Sequence, residues 1–256
     1  MAIILKRSLD IEAMRAAGRL VAETFELLRQ AIAPGIRLRD LDSLAAENLK
    51  RYGAQPLYLD YRGRPPTHPP FPGVICASVN QEVCHGLPDE RILREGDIVG
   101  IDIGLKYKGY CGDACVTYGV GKIRPAAQHL LEVTEACLYR GIEAAISGRH
   151  LSDIGVAIQH YAESKGYSVV REWGGHGIGR TLHEDPSVPH TGPAGKGNIL
   201  RPGMTFTIEP MINAGGPEWV LMPDGWSVET KDGALSAQFE HTIVITEHGP
   251  EILSKL

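Results

Sequence analysis

The chain has 256 residues, 43% of them hydrophobic and 22% charged, which is ordinary for a folded protein with a sizeable core. A formal net charge of −5 argues against a specific nucleic-acid binder, and no apolar run approaches the length that spans a membrane. Five cysteines, an odd number with no Cys-x-x-Cys spacing, lead us to expect free thiols rather than disulfides or a zinc knuckle.

In chain order, only four apolar residues follow Met1, too few for a signal-peptide core, so a cytoplasmic protein is expected. Ser8 to Arg29 has helical spacing in Ile11, Met14, Ala17, Leu20, Val21, Phe25 and Leu28, and Pro34-Gly35 breaks it. A second helix runs from about Leu38 to Tyr52 and stops at Gly53. Gln55 to Pro72 reads as loop, because five prolines in nine residues from Arg64 onward exclude a central strand. Strands are expected at Val74 to Val79, Asp97 to Tyr107 and Tyr110 to Tyr118, the last two joined by a Lys108-Gly109 turn. Helices follow at Pro125 to Ser147 and Leu151 to Gly166, then a short strand at Tyr167 to Arg171. The glycine-rich stretch to about Pro193 shows no clear period. Strands at Met204 to Ile212, Ser227 to Thr230 and Gln238 to Thr246 close the order. Helix, helix, strands thus occurs twice. A mixed or antiparallel sheet covered by helices on one face fits this better than strand–helix alternation does.

Four acids stand in or beside apolar strands: Asp102 in IVGIDIG, Asp113 in YCGDAC, Glu209 in TFTIEPM and Glu240 in AQFEHTIVI. Burying a carboxylate is costly unless it is paired. Singly, each fits a salt-bridged core residue or a strand end facing solvent. Together they form an oxygen-rich set that nearby arginines such as Arg201 do not obviously neutralise. With one imidazole they would suit a pair of divalent ions about 3.5 Å apart.

Of the ten histidines, His68, His129, His150, His160, His190 and His248 have no distinctive setting, and surface or capping roles suffice. His241 should point away from Glu240, its neighbour on the strand. His85, between a strand and a turn, is open to a structural or a functional role. His176 sits among Gly174, Gly175, Gly177 and Gly179, which would let a metal or substrate approach; loop flexibility would explain the glycines equally. His183, among larger residues, reads as a hydrogen-bonding or packing residue rather than a second ligand.

The motifs NQEVCHGLP (Asn80 to Pro88), GIDIG around Asp102, GYCGD ending at Asp113, GHGIGRTLHE (Gly175 to Glu184), TIEPM around Glu209 and FEHT around Glu240 run in one order along the chain. In this set the sequence closely resembles the type I methionine aminopeptidases, from near Asp10 almost to the end. The resemblance implies the α/β pita-bread fold, with a central antiparallel sheet covered by helices. It also implies a single catalytic domain over 1–256, with a short leading segment 1–9 and pseudo-twofold halves near 10–120 and 121–250. It implies Asp102, Asp113, His176, Glu209 and Glu240 as ligands of two divalent ions (manganese, iron or cobalt, with zinc not excluded). Asp113 and Glu240 would bridge, and Glu209 would also act as proton acceptor. By the same likeness His85 and His183 contact substrate near the scissile bond. Tyr61, Phe71, Cys76 and Trp226 wall the methionine pocket, and Asn80 and Ser236 belong to a sodium or potassium site.

The implied activity is removal of the initiator methionine from nascent chains near the ribosome exit, favouring small second residues, by a cytoplasmic monomer. The sequence departs from the family before the pocket cysteine, where Phe71-Pro72 matches the usual aromatic-proline pair only if the proline-rich stretch between Gly63 and Phe71 is an insertion, which would reshape the pocket mouth. It departs again at Leu182, where an aromatic is common. The alternatives are an X-prolyl aminopeptidase or prolidase sharing the metal set, which would usually have a longer chain, and a non-catalytic peptide-binding relative, which typically loses ligands.

Overall fold

A computed structural model describes residues 3–63 and 66–256. The first two residues of the leading segment, and Arg64-Pro65 at the head of the proline-rich stretch, lie outside the described residues. The two leading helices are α1 (Ser8–Ala31) and α2 (Leu38–Tyr52). The Asp10 carboxylate accepts the Arg7 backbone N–H at 2.9 Å and so caps α1. Gly53 ends α2 with φ 67°, a left-handed conformation that glycine adopts without strain. β1 (Gln55–Pro56), β2 (Cys76–Val79) and β3 (Glu82–Cys84) are short; β4 (Ile98–Tyr107) and β5 (Tyr110–Gly119) form a long hairpin.

The second half repeats this order with α3 (Pro125–Ala144) and α4 (Ser152–Ser164). Then come β6 (Ser168–Val169), β7 (Gly174–Gly177), β8 (Glu184–Pro189), β9 (Thr205–Ile208) and β10 (Met211–Asn213). β11 (Trp219–Leu221), β12 (Val228–Thr230), β13 (Ser236–Gln238), β14 (Glu240–Thr246) and β15 (Gly249–Ile252) complete it. The main sheet runs β1-β4-β5-β14-β9-β7-β8, with β2 on β4 and β15 on β14. Its pairings are antiparallel, and β5 against β14 joins the two halves. Smaller sheets, β13-β10-β6 and β11-β12-β3, stand beside it.

Strand parity decides which side chains face the helices. Val99, Ile101, Ile103 and Leu105 of β4, with Ala114 of β5, pack under α1 and α2. Phe206 and Ile208 of β9, with Ile243 and Ile245 of β14, pack under α3 and α4. Each fully buried side chain of this size contributes roughly 1.5–3 kcal/mol. Because successive side chains alternate, the residues between them, Asp102, Asp113 and Glu240, point to the face the helices do not cover.

Several expected elements need correcting. The strand read over Met204 to Ile212 is two strands, since β9 leaves the main sheet at Glu209-Pro210 and β10 pairs with β13 and β6. Proline has no N–H to give a ladder. The strand read over Gln238 to Thr246 likewise divides at Phe239. Gln55-Pro56, read as loop, pairs at the edge of β4. The stretch without a clear period contains β7 and β8. The five cysteines are free and buried, and among the described residues no helix is long and apolar enough to cross a membrane.

Candidate functional site

Register alone assembles most of the acids. Cys76 lies opposite Asp102, Asp102 opposite Cys115, and Cys115 opposite Glu240, a row across β2, β4, β5 and β14. Asp113 faces Gly104, two residues along from Asp102, so the expected diagonal approach of these two acids is present. Glu209 arrives from the end of β9 and His176 from β7. Asp113, His176 and Glu240 offer ligand atoms that all lie within 4.8 Å of one another. His176 Nε2 is 3.6 Å from Asp113 Oδ2 and 3.8 Å from Glu209 Oε1. Asp102 joins through Tyr58, whose hydroxyl is 2.6 Å from Asp102 Oδ1 and 2.8 Å from Asp113 Oδ1.

Gathering these acids out of water shifts their protonation. Burial, then the neighbouring Asp113, holds Asp102 far above the usual carboxylate range; burial and the other three acids do the same to Glu240. Burial pushes Glu209 up to about 7, against the charge of His176 and the Thr207 hydroxyl at 2.7 Å. Burial pulls His176 down, but the bond to Asp113 and the charge of Glu209 outweigh it and raise the imidazole to about 9. Its Nδ1 is 3.0 Å from the Gly177 carbonyl, which can only accept, so Nδ1 carries hydrogen and Nε2 faces the acids. Glu240 Oε1 is buried with no hydrogen-bond partner. An orphaned carboxylate oxygen among acids that repel one another is what a divalent cation would neutralise, and aspartate, glutamate and imidazole are suitable donors. The residues fit such ions.

A cavity of about 380 Å³ opens on these groups. Tyr61, Phe71, Cys76, His85, His183 and Trp226, all singled out in the sequence, line it. The Trp226 ring meets Phe71 edge-on at 5.3 Å and lies 6.1 Å from Tyr61. His183 stands with its ring 4.4 Å from that of His176 and its Nδ1 3.3 Å from the Tyr61 hydroxyl. His85 packs edge-on to Trp173 at 5.1 Å, and burial, with nearby His68, lowers it to about 4, so it is neutral at physiological pH. The apolar side is aromatic and the far end acidic.

Two histidines read as surface or capping residues belong here. His68 lines the cavity, stacks on Trp226 with ring centroids 4.7 Å apart, and donates from Nδ1 to the Gly225 carbonyl at 2.7 Å. With the Trp226 indole N–H donating to the Pro69 carbonyl at 2.9 Å, this ties the described part of the proline-rich stretch to the pocket wall. His190 is 1% exposed, and its Nε2 accepts the Glu209 backbone N–H at 3.2 Å. Neither has a local sequence signal, because each acts on a partner distant in the chain.

The glycines around His176 serve a purpose other than the expected opening. A Cβ on Gly175 would collide with the Thr207 carbonyl, and one on Gly177 with the Asp185 carbonyl, so they permit β7 to pack tightly against β9 and β8. Tyr58 was missed in the sequence, where it belongs to no motif. Asn80 and Ser236 meet outside the cavity lining, the Ser236 N–H donating to the Asn80 carbonyl at 2.9 Å. The side-chain oxygen of Asn80 accepts the Ile98 N–H, and the Ser236 hydroxyl donates to Asn213.

The profile of metallopeptidase family M24 matches residues 12–247. Methionine aminopeptidase 1 of Bacillus subtilis is 49% identical over 254 residues, covering 99% of this chain and 100% of that one. The crystal structure of methionine aminopeptidase from Rickettsia prowazekii superposes with a TM-score of 0.95 at 43% identity, over 99% of this chain and 100% of that one. A prolidase from Pyrococcus furiosus shares the pita-bread fold, with a TM-score of 0.77 at 23% identity, over 99% of this chain but 66% of that one.

Proposed function

The chain belongs to metallopeptidase family M24, among its methionine aminopeptidases, and on that premise we propose that it removes the N-terminal methionine from nascent proteins and peptides. The observation that best supports this is the cavity itself: an aromatic pocket of about 380 Å³ ending on a buried cluster of acids and one imidazole. An unbranched apolar side chain fits between Tyr61, Phe71, Cys76 and Trp226. The free α-amine then lies at the acidic end, which restricts cleavage to the first residue.

In this reading Asp102, Asp113, His176, Glu209 and Glu240 would hold two divalent ions, manganese, iron or cobalt, or zinc. Such ions, when bound, supply the positive charge that makes an attacking water acidic at neutral pH. Glu209 takes the proton of that water on Oε2 and returns one to the leaving amine nitrogen. The Thr207 hydroxyl holds Oε1, and His190 holds the Glu209 backbone, so the carboxylate presents a fixed geometry. His183 donates a hydrogen bond to the carbonyl oxygen as charge develops there. His85, neutral and packed on Trp173, contacts the substrate backbone. Asn80 and Ser236, tied by the bond from the Ser236 N–H to the Asn80 carbonyl, would offer oxygen donors to a sodium or potassium ion. By the likeness to the methionine aminopeptidases, small second residues would be favoured. We place the activity in the cytoplasm, on chains near the ribosome exit, with the protein acting as a monomer.

Peptides test the specificity. With cobalt- or manganese-loaded protein, Met-Ala-Ser should release free methionine, and Met-Lys-Ser and Ala-Pro-Ser should not. Cleavage of Ala-Pro-Ser with Met-Ala-Ser untouched would overturn the reading in favour of a prolyl specificity.

A further inference from the structure

Tyr58 lies just past β1, and the pairing with β4 continues as far as the Leu57 N–H, which donates to the Gly104 carbonyl at 3.0 Å. This carries the tyrosine ring across β4 at Gly104. A Cβ at that position would lie 2.8 to 3.0 Å from Cε1, Cζ and the hydroxyl oxygen of Tyr58, so glycine makes the slot the ring fills. Phe71 closes it from the other side, edge-on at 6.4 Å. The hydroxyl emerges between Asp102 Oδ1 at 2.6 Å and Asp113 Oδ1 at 2.8 Å. The other oxygen of Asp113 faces His176 Nε2 at 3.6 Å. The hydroxyl has one proton to give, so it donates to one of these oxygens at a time while it lies against the other; from that place between them it restrains both carboxyl groups and leaves Asp113 Oδ2 turned toward His176.

We propose that Tyr58 is a positioning residue that orients Asp102 and Asp113 together and thereby sets the affinity of the centre for divalent metal. This deepens the metal-site reading above and rests on it. The aromatic ring packs; the hydroxyl orients. Its removal leaves two neighbouring carboxylates free to rotate apart under their mutual repulsion, and each then meets the ion at an entropic cost the native arrangement avoids. Gly104 and Tyr58 act as one device, since a side chain at 104 would push the hydroxyl off its partners.

The test uses Tyr58→Phe, which keeps the ring in its slot and deletes only the hydroxyl. Metal-stripped wild type and variant are titrated with cobalt(II) by calorimetry, the visible absorption of the bound cobalt is recorded, and the melting temperature of each stripped protein is measured. The expected result is cobalt binding weakened by ~10- to ~100-fold, the scale at which groups that orient metal ligands act. An altered cobalt spectrum and an unchanged melting temperature of the stripped variant should accompany it. Wild-type affinity and spectrum in the variant would overturn the proposal. So would a loss of affinity matched by a lower melting temperature of the stripped variant, because the hydroxyl would then be serving the fold. If wild type itself binds no cobalt, the metal-site reading fails as a whole, an outcome distinct from failure of the Tyr58 role alone.

Discussion

In the proposed mechanism Glu209 carries two demands at once, as a ligand in the cluster and as the group that moves a proton. Replacing it with glutamine keeps its size but removes both charge and proton affinity, and the single amide oxygen can accept only one of the two bonds that the carboxylate accepts from Thr207 and Gln238. Methionine release by Glu209→Gln should fall by at least about 10²- to 10⁴-fold, the worth of a placed general base. Full turnover in that variant would contradict both roles. His85 makes a separate prediction. Burial penalises its charged form, so it titrates at about 4 rather than at the ordinary 6.5. Between those values the unfolded chain binds a proton that the folded chain does not. The stability His85 contributes is therefore complete above pH 6.5 and is lost as pH falls through that window. An NMR titration of the histidine rings should show His85 neutral at pH 5.5; a midpoint near 6.5 would contradict its buried setting. At this scale the sequence was legible where a residue is anomalous among its own neighbours. Asp102, Asp113 and Glu240 are acids in apolar strands, and their cost announces a partner. Tyr58 and His190 have no such anomaly. Their meaning lies in contacts with Asp102, 44 positions away, and Glu209, 19 positions away.

The long, strongly periodic elements follow from local sequence, because α1 and β4 bury one face each in the core of the first half and α3 does so in the core of the second. The short strands around His176 do not. β7 is nearly all glycine and β8 contains two prolines, so neither offers the alternation by which a strand is read. What makes β7 a strand is close approach to its neighbours, and that is tested by filling the space. Gly175→Ala would drive a methyl group into the Thr207 carbonyl. Overpacking of this kind costs about 1–3 kcal/mol. Urea denaturation should show a loss of that order with an unchanged m-value. Wild-type stability would show that β7 and β9 have room to spare. The break at Glu209-Pro210 matters similarly. An uninterrupted strand would continue the alternation of β9, whereas the observed one ends so that Glu209 projects beside His176 with its backbone N–H on His190.

For the molecule as a whole, the site lies where the two halves meet. β5 contributes Asp113, β14 contributes Glu240, and their pairing is the seam. The repeat of helix, helix, strands was visible in the sequence; the pairing across the seam was not, since residues separated by more than a hundred positions carry no local pattern. Gathering these acids out of water is costly without a cation, and ions that bind only the folded chain should stabilise it by an amount that grows with the logarithm of their concentration over Kd. The claim that this acid cluster is a dinuclear peptidase centre is tested most directly by counting metal against turnover. Chelated protein is given measured equivalents of cobalt or manganese, and methionine released from Met-Ala-Ser is followed at each step. The account predicts no release from the stripped protein, and a rise that saturates by two equivalents per chain. Release that persists undiminished in the fully stripped protein would contradict it.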